Sequence, residues 1–168
     1  PRRKARVGAL MEVEGLVVDF AAGEHGRPTT QLKALEARVV SKGGPAVEPF
    51  WLTADVLPSG AAALARFLNG LEGMLVGIPE GSIFTAPSNP FGDYVCAPAG
   101  LRGDRAANGG LLIDPDDPQR WLPGFRVVDY GRAPRVNVGA RLLRAVVGPL
   151  NYRVESFQVA AQGRVEVA

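Results

Sequence analysis

Alternating apolar and polar residues predict that most of this chain forms β-strands. In residues 6–20, RVGALMEVEGLVVDF, Met11 and Val13 alternate with glutamates, which predicts one buried and one solvated face. The alternation changes phase at Gly15, and a glycine at a phase change predicts a β-bulge or a sharp coil. A long strand of this kind can serve both sides of a small barrel.

One segment in the middle of the chain has helical spacing instead. Residues 60–69 form the predicted helix, with Ser59 as its N-cap and Gly70 as its stop. Its apolar positions follow the i, i+3, i+4, i+7 pattern at Leu64, Phe67, Leu68 and Leu71. Phe67 and the upstream Trp51 are expected in the hydrophobic core.

Short strands separated by Gly- and Pro-rich turns are predicted along the rest of the chain. They cover residues 31–40, 50–54, 72–78, 82–86, 92–97, 111–113 and 125–130, with two or three more in 138–168. Residues 31–40 also suit a helix, and residues 50–54 also suit a docking segment. Many short strands with one helix predict a mostly β fold, for which an OB-like small β-barrel is the leading candidate.

Residues 68–98 add three aromatic side chains to this pattern, those of Phe84, Phe91 and Tyr94. Two interpretations fit them. They form part of the wall of the barrel, or they form a surface on which a flat group such as a nucleic-acid base stacks. The sequence leaves both open.

Composition narrows the class of protein. The chain has 168 residues, of which 46% are hydrophobic, so disorder is a poor interpretation. No apolar run approaches the length that spans a membrane, which predicts that a membrane is not a partner.

Cys96 is the only cysteine, which rules out an intrachain disulfide framework. It lies in an apolar run and is predicted to be a buried, inert thiol.

Positive charge is concentrated in one part of the chain. The net charge is only +2, but residues 120–153 hold seven arginines against one acidic residue, Asp129. Arginine can bind phosphate through two hydrogen bonds and can stack on aromatic rings. A GC-rich genome would also explain a high arginine content. The clustering of the arginines nevertheless favours a binding role for this stretch.

Two segments are distinctive enough to suggest a family, LEGMLV (71–76) and VGPLNYRVESFQV (147–159). They resemble parts of the OB-like accessory modules of bacterial extracellular nucleases, which carry a catalytic domain of the endonuclease/exonuclease/phosphatase type. ARVGALMEVEGLVVDF (5–20) with TTQL (29–32) resembles the last strands of a preceding module. GDYVCAP (92–98) and residues 136–161 resemble later strands of the following module.

The resemblance implies a domain organisation, a function and a location. Residues 1–55 would be a partial OB-like unit or the N-terminal strands of a merged domain, residues 56–70 a connecting helix, and residues 71–168 an OB-like barrel. The chain would be the accessory region of a secreted or cell-surface nuclease that binds DNA, with a nuclease domain in the same polypeptide. Without the resemblance, the lack of a visible signal peptide fits a cytoplasmic protein.

A catalytic site is not predicted in this chain. A metal-dependent nuclease of that class needs carboxylates and a histidine pair, and the chain has one histidine, His25, in a loop. The catalytic part of such a parent protein would therefore lie outside these residues. Asp114, Asp116 and Asp117 are candidate ligands for Ca²⁺, because oxygen ligands at short spacing suit that ion. Asp before Pro is also a common turn former, so a turn without metal is the alternative.

A nucleic-acid-binding face is predicted within the basic stretch. Period two in FRVVDYGR (125–132) puts Arg126 and Tyr130 on one face, while Phe125 and Val127 point into the barrel. The predicted binding residues are Trp121, Arg126, Tyr130, Arg132, Arg135, Tyr152 and Arg153. On an OB face, such rings stack on bases while arginines bind phosphates. Packing inside the barrel is the alternative for the aromatic residues.

Two functions of different classes remain open. The first is a non-catalytic nucleic-acid-binding module whose partner is single- or double-stranded DNA. The second is a structural or protein-interaction β-barrel of a bacterial surface or secreted protein, which the modest net charge and the scarcity of lysine favour. Binding that weakens as salt rises would distinguish the first, because phosphate contacts release counterions.

Overall fold

The chain is mostly β. The computed structural model describes residues 6–20, 28–89, 92–101, 106–110, 124–127, 134–153, 156–161 and 163–168. This part contains nine strands and one helix: β1 (Leu10–Phe20), β2 (Thr29–Ser41), β3 (Phe50–Trp51), α1 (Ala61–Gly70), β4 (Leu75–Ile78), β5 (Ile83–Phe84), β6 (Asp93–Ala97), β7 (Gly124–Val127), β8 (Val146–Arg153) and β9 (Ser156–Ala161). The predicted strand at 111–113, and residues 128–130 of the next one, lie outside the described residues. No described helix has the length and apolar character needed to cross a membrane.

The chain divides into two compact units, residues 1–48 and residues 49–168. The first unit contains β1 and β2, which pair antiparallel as a two-stranded sheet. Its register shifts between Glu14 and Gly15, at the position where a bulge was predicted, and the extra residue is Leu35 of β2.

The predicted buried face of β1 is wrong. Met11 is 37% exposed and Val13 is 39% exposed, and β1 has no fully buried residue. Alternation shows which side chains share a face of a strand, but it does not supply a second layer to cover that face. Within the described residues these two strands pair only with each other, and neither strand has a fully buried residue.

The second unit is built on one seven-stranded sheet with the order β3-β4-β8-β9-β7-β6-β5. The β3/β4 and β7/β9 pairs are parallel, and the remaining pairs are antiparallel. In this order β3 and β5 stand at the two ends, and the described strands form no closed barrel.

The helix packs its predicted apolar stripe against the core of the second unit. Leu64, Leu68 and Leu71 are buried, and Phe67 packs beside them. The predicted cap is wrong, because Gly60 is the N-cap residue and no side chain bonds to the helix start. Gly60 has a φ of 87°, a conformation that glycine adopts without steric cost, so the chain enters the helix one residue after Ser59.

Two of the three aromatic residues in the 68–98 segment belong to the core. Phe84 is fully buried and Tyr94 is 2% exposed, and their rings meet edge to face with centroids 5.7 Å apart. Phe91 lies outside the described residues. Trp51, which was also expected in the core, is instead 42% exposed.

The strand β8 changes partner in its middle. Residues 146–149 pair with β4, whereas residues 150–153 pair with β9. A Cβ atom on Gly148, at this changeover, would overlap the backbone carbonyl group of Ala160 in β9. The close approach of the two strands therefore requires a glycine at position 148.

We expect Gly148→Ala to lower the free energy of unfolding by about 3 kcal/mol, because the added methyl group must push two backbones apart. Chemical denaturation followed by circular dichroism measures the change. The matched control is Gly70→Ala at the end of α1, where an added carbon has no neighbour within 4 Å. That control should be neutral or stabilise by up to about 1 kcal/mol. Equal unfolding free energies for the two variants would contradict the close approach.

The lone thiol is buried, as predicted. Cys96 in β6 is 1% exposed, and burial raises the pKa of its thiol to about 12 because the thiolate would lose its hydration. The native thiol is therefore protonated at neutral pH, and a protonated thiol is a poor nucleophile.

We expect Cys96 in the native protein to react with a thiol-specific disulfide reagent at pH 8 only as fast as the protein unfolds. Its thiolate fraction is about a thousandfold below that of a thiol with the ordinary pKa of 9.0. Because the pKa is higher in the folded state, stability should also fall as pH rises above about 9, where the unfolded thiol ionises. Rapid reaction in the absence of denaturant would contradict this prediction.

Candidate nucleic-acid interface

The arginine-rich part that the structure describes is a segment fixed to the sheet of the second unit. We define residues 134–144 as the arginine segment; it contains Arg135, Arg141 and Arg144. Its backbone is held by hydrogen bonds to residues far away in the sequence. Those bonds decide where the arginine side chains stand.

The backbone on both sides of Arg135 is anchored. The hydroxyl of Tyr94 donates a hydrogen bond of 2.6 Å to the carbonyl oxygen of Pro134. The amide of Val136 donates to the side-chain hydroxyl of Ser88 at 3.0 Å, and its carbonyl accepts from the amide of Ser88 at 3.1 Å. Val136 is itself buried. Arg135 therefore sits between two fixed residues, while its own side chain is exposed.

The Tyr94 anchor is a buried phenol. Burial raises the pKa of the Tyr94 hydroxyl, so that the group stays a hydrogen-bond donor across the physiological range. A buried hydroxyl that loses its acceptor costs about 1–3 kcal/mol, which favours keeping Pro134 in place.

The rest of the arginine segment runs along β5. The amide of Gly139 donates to the carbonyl of Phe84 at 2.8 Å, and the amide of Phe84 donates to the carbonyl of Ala140 at 2.9 Å. Further along, the amide of Leu142 donates to the carbonyl of Ser82 at 3.0 Å. These bonds continue the edge of the sheet beyond β5 and place Arg141 in an isolated bridge with Ile83.

A glycine makes this path possible. Gly139 has a φ of +90°, and a Cβ atom there would lie 2.6 Å from the carbonyl oxygen of Asn108. Both its conformation and its neighbour therefore exclude a side chain. The backbone conformation and the close packing at position 139 thus explain the glycine that ends VNVG (136–139).

The three arginines differ in their surroundings. Arg144 forms an ion pair with Glu166, with 3.2 Å between Nε and the carboxylate oxygen. Arg135 and Arg141 are exposed, and within the described residues neither forms an ion pair. Their guanidinium groups can therefore accept an anionic partner without breaking an existing pair. The described residues also contain no group of His, Cys, Asp or Glu side chains that could hold a metal ion.

The predicted binding residues do not all lie on one side of the sheet. Tyr152 is partly buried and packs on Phe157, with ring centroids 4.9 Å apart, so it belongs to the edge of the core. In the backbone register, position 126 is paired with Asp93 of β6 and with Ala160 of β9. Asp93 is next to the buried Tyr94, and Ala160 is next to the buried Val159, so both paired residues lie on the face opposite to the core. Position 126 therefore lies on the sheet face opposite to the one that carries Tyr152.

Of the remaining predicted binding residues, Arg153 lies in the described part of the chain. Arg153 pairs with Ser156 at the end of the β8–β9 hairpin. Trp121, Tyr130 and Arg132 lie outside the described residues. The candidate Ca²⁺ ligands Asp114, Asp116 and Asp117 and the loop residue His25 also lie outside them, and these assignments stay predictions.

An exposed aromatic ring lies on the sheet at a position where the sequence predicted a core residue. Trp51 pairs with Gly77, and its ring carbons Cε3 and Cζ3 would be 2.6 Å from a Cβ atom at position 77. The indole therefore lies directly over the backbone of β4 and is partly open to solvent. The exposure of Trp51 follows from the alternation of side chains along a strand. Leu52 is buried, so the neighbouring Trp51 must point to the opposite face.

Comparison with known proteins gives one match. No curated protein and no solved structure matches the chain. The family model described as Domain of unknown function (DUF8508) matches residues 54–168, which is more than half of the sequence and includes α1, all strands from β4 to β9 and the arginine segment. The chain therefore belongs to the DUF8508 family.

Proposed function

We propose that this chain is a non-catalytic nucleic-acid-binding module with an OB-like fold, and that it is the accessory region of a secreted bacterial nuclease that acts on DNA. The observation that carries the proposal is the arginine segment, where Arg135 is exposed between two anchored residues. The resemblance of LEGMLV and VGPLNYRVESFQV to nuclease accessory modules supports the biological setting.

Strand pairing in the second unit supports the OB-like part of the proposal. An OB barrel is a five-stranded Greek key whose long first strand pairs with both the second and the fourth strand, while the third runs parallel to the fifth. If β4 and β5 are two halves of such a first strand, then β6, β7, β8 and β9 are strands two to five. The observed pairs β4/β8, β5/β6, β6/β7, β8/β9 and parallel β7/β9 then all agree with that scheme.

The position of the arginines in that scheme supports a binding role. OB folds bind oligonucleotides on the face of strands two and three and through the loops that follow strands one and four. Ser88, which anchors Val136, lies in the loop that follows β5. Arg135 would therefore stand beside the first binding loop, position 126 would lie on strand three, and Arg153 would open the second binding loop.

The chemistry of Arg135 also suits a phosphate. A guanidinium group offers donors in a planar fork that matches two phosphate oxygens. Its backbone is held by Tyr94 and Ser88, so binding has to immobilise only the side chain. Less conformational entropy is then lost on binding than for an arginine in an unanchored loop.

The alternative is a structural or protein-interaction module. It is favoured by the exposed indole of Trp51, since an aromatic ring on an open sheet face also suits a protein partner. The two functions differ in their response to salt, because only phosphate binding releases condensed counterions.

We expect the unsubstituted chain to bind labelled DNA with an affinity that falls steeply as the salt concentration rises. The double variant Arg135→Ala/Arg141→Ala should reduce the slope of log K against log salt by about two units, roughly one for each lost phosphate contact. Fluorescence anisotropy with single-stranded and duplex oligonucleotides at several salt concentrations measures both quantities. The comparison of the two oligonucleotides also gives the strand preference.

Arg66→Ala is the matched control, because Arg66 is an exposed arginine on α1 that does not belong to the arginine segment. It removes the same charge and should leave the slope unchanged. Thermal unfolding of each variant should confirm that the fold is intact. The proposal fails if the parent does not bind DNA, or if the Arg66 variant and the double variant lose the same amount of affinity; the first result would favour the protein-interaction alternative.

A further inference from the structure

The hairpin of the first unit exposes many large apolar side chains, among them Leu16, Val17, Leu32 and Leu35. Within the described residues, β1 and β2 pair only with each other over 11 and 13 residues. An isolated two-stranded hairpin is marginally stable in water, and three or more strands are generally needed. The exposed outer edges of both strands are the places where a further strand can pair.

The register sorts the side chains of the hairpin onto two faces. Opposed pairs such as Val13 with Ala37 and Val17 with Leu32 lie on the same side of the sheet. We call this the apolar face, because it carries Met11, Val13, Val17, Leu32, Ala37 and Val39, although Asp19 and Thr30 lie at its far end. The other face, which we call the charged face, contains the Glu12–Arg38 ion pair, and it also carries Leu16, Val18 and Phe20.

The charged face contains an unfavourable pair. Glu14 lies directly opposite Glu36, and like charges at opposed positions destabilise a sheet. Arg38 already donates to the carboxylate of Glu12, with 3.1 Å between Nε and the acceptor oxygen. Within the described residues, neither Glu14 nor Glu36 forms an ion pair. Glu36 stands on the open edge of the hairpin, so a cation on an added strand can reach it.

We infer that the outer edge of β2 pairs antiparallel with β2 of a second copy of this chain, about a two-fold axis between Ala34 and Leu35. In this register Lys33 faces Glu36 of the second copy, and the symmetry repeats the pair. The next pairs outward are Leu32 with Ala37, Gln31 with Arg38 and Thr30 with Val39. Each of these four pairs joins two residues of the same face, and none of them sets two like charges against each other.

The bulge is what makes the register self-complementary. Residue 35 has no partner in β1, so positions 33 and 36 lie on the same face although they are three residues apart. The outer edge of β1 lacks this property. Pairing β1 with itself about Gly15 would put Glu12 opposite Val18 and Glu14 opposite Leu16, which leaves charges against apolar side chains.

The test is charge reversal in the full-length chain, followed by sedimentation equilibrium over a range of concentrations. We expect the parent protein to dimerise, and Lys33→Glu and Glu36→Lys each to raise the dimer dissociation constant by roughly tenfold or more, because each variant places two like-charged pairs at the interface. The double variant Lys33→Glu/Glu36→Lys should restore the parent constant. An equimolar mixture of the two single variants should also restore it, since both cross-copy pairs are then opposite in charge.

Two further observations separate this inference from a loss of folding. Glu36→Lys removes the repulsion with Glu14, so the hairpin itself should be stabilised while the dimer is weakened. Glu48→Lys makes the same charge change at an exposed position outside the strands and should leave dimerisation unchanged. The inference is overturned if the unsubstituted chain stays monomeric at every concentration. It is also overturned if the dimer survives both single charge reversals, or if the double variant does not restore dimerisation.

Discussion

A buried hydroxyl group connects the core of the second unit to its candidate binding surface. The ring of Tyr94 lies in the core against Phe84 and only 2% of the residue is exposed, which favours an acceptor within the protein for its hydroxyl. The acceptor is the carbonyl of Pro134, 40 residues further along the chain. The arginine segment is therefore fixed by a polar requirement of the hydrophobic core, and Arg135 takes its position from that bond.

Local patterns predicted the elements but not what covers them. The spacing of Leu64, Phe67, Leu68 and Leu71 gave the helix and its buried stripe, and Gly15 marked the bulge, because both features depend on neighbours within a few residues. The burial of β1 was predicted wrongly, since period two is the same for a covered and an uncovered strand. The helix start was misplaced because Gly60, with its positive φ, takes the capping position without any side-chain bond.

The candidate site could be predicted only in part from the sequence, because local patterns do not encode contacts between residues far apart in the chain. The concentration of arginines between residues 120 and 153 is visible in the sequence and led to Arg135. The bonds from Tyr94 and Ser88 that hold Arg135 span 40 and 48 residues, and no periodic pattern encodes them. Tyr152 looked like a stacking residue because it stands beside arginines, but pairing with Phe157 turns its ring toward the core.

The changeover of β8 from β4 to β9 also has a consequence for how the chain is made. β4 is synthesised well before residues 146–149, which complete its antiparallel pair, and β7 must wait for β9 on its parallel side. Strand pairs so distant in sequence form slowly, because a long loop must close before any contact is gained. On the ribosome, the edges of β4 and β7 therefore stay open until the last strands emerge. Unpaired strand edges of this kind favour aggregation for as long as they stay uncovered.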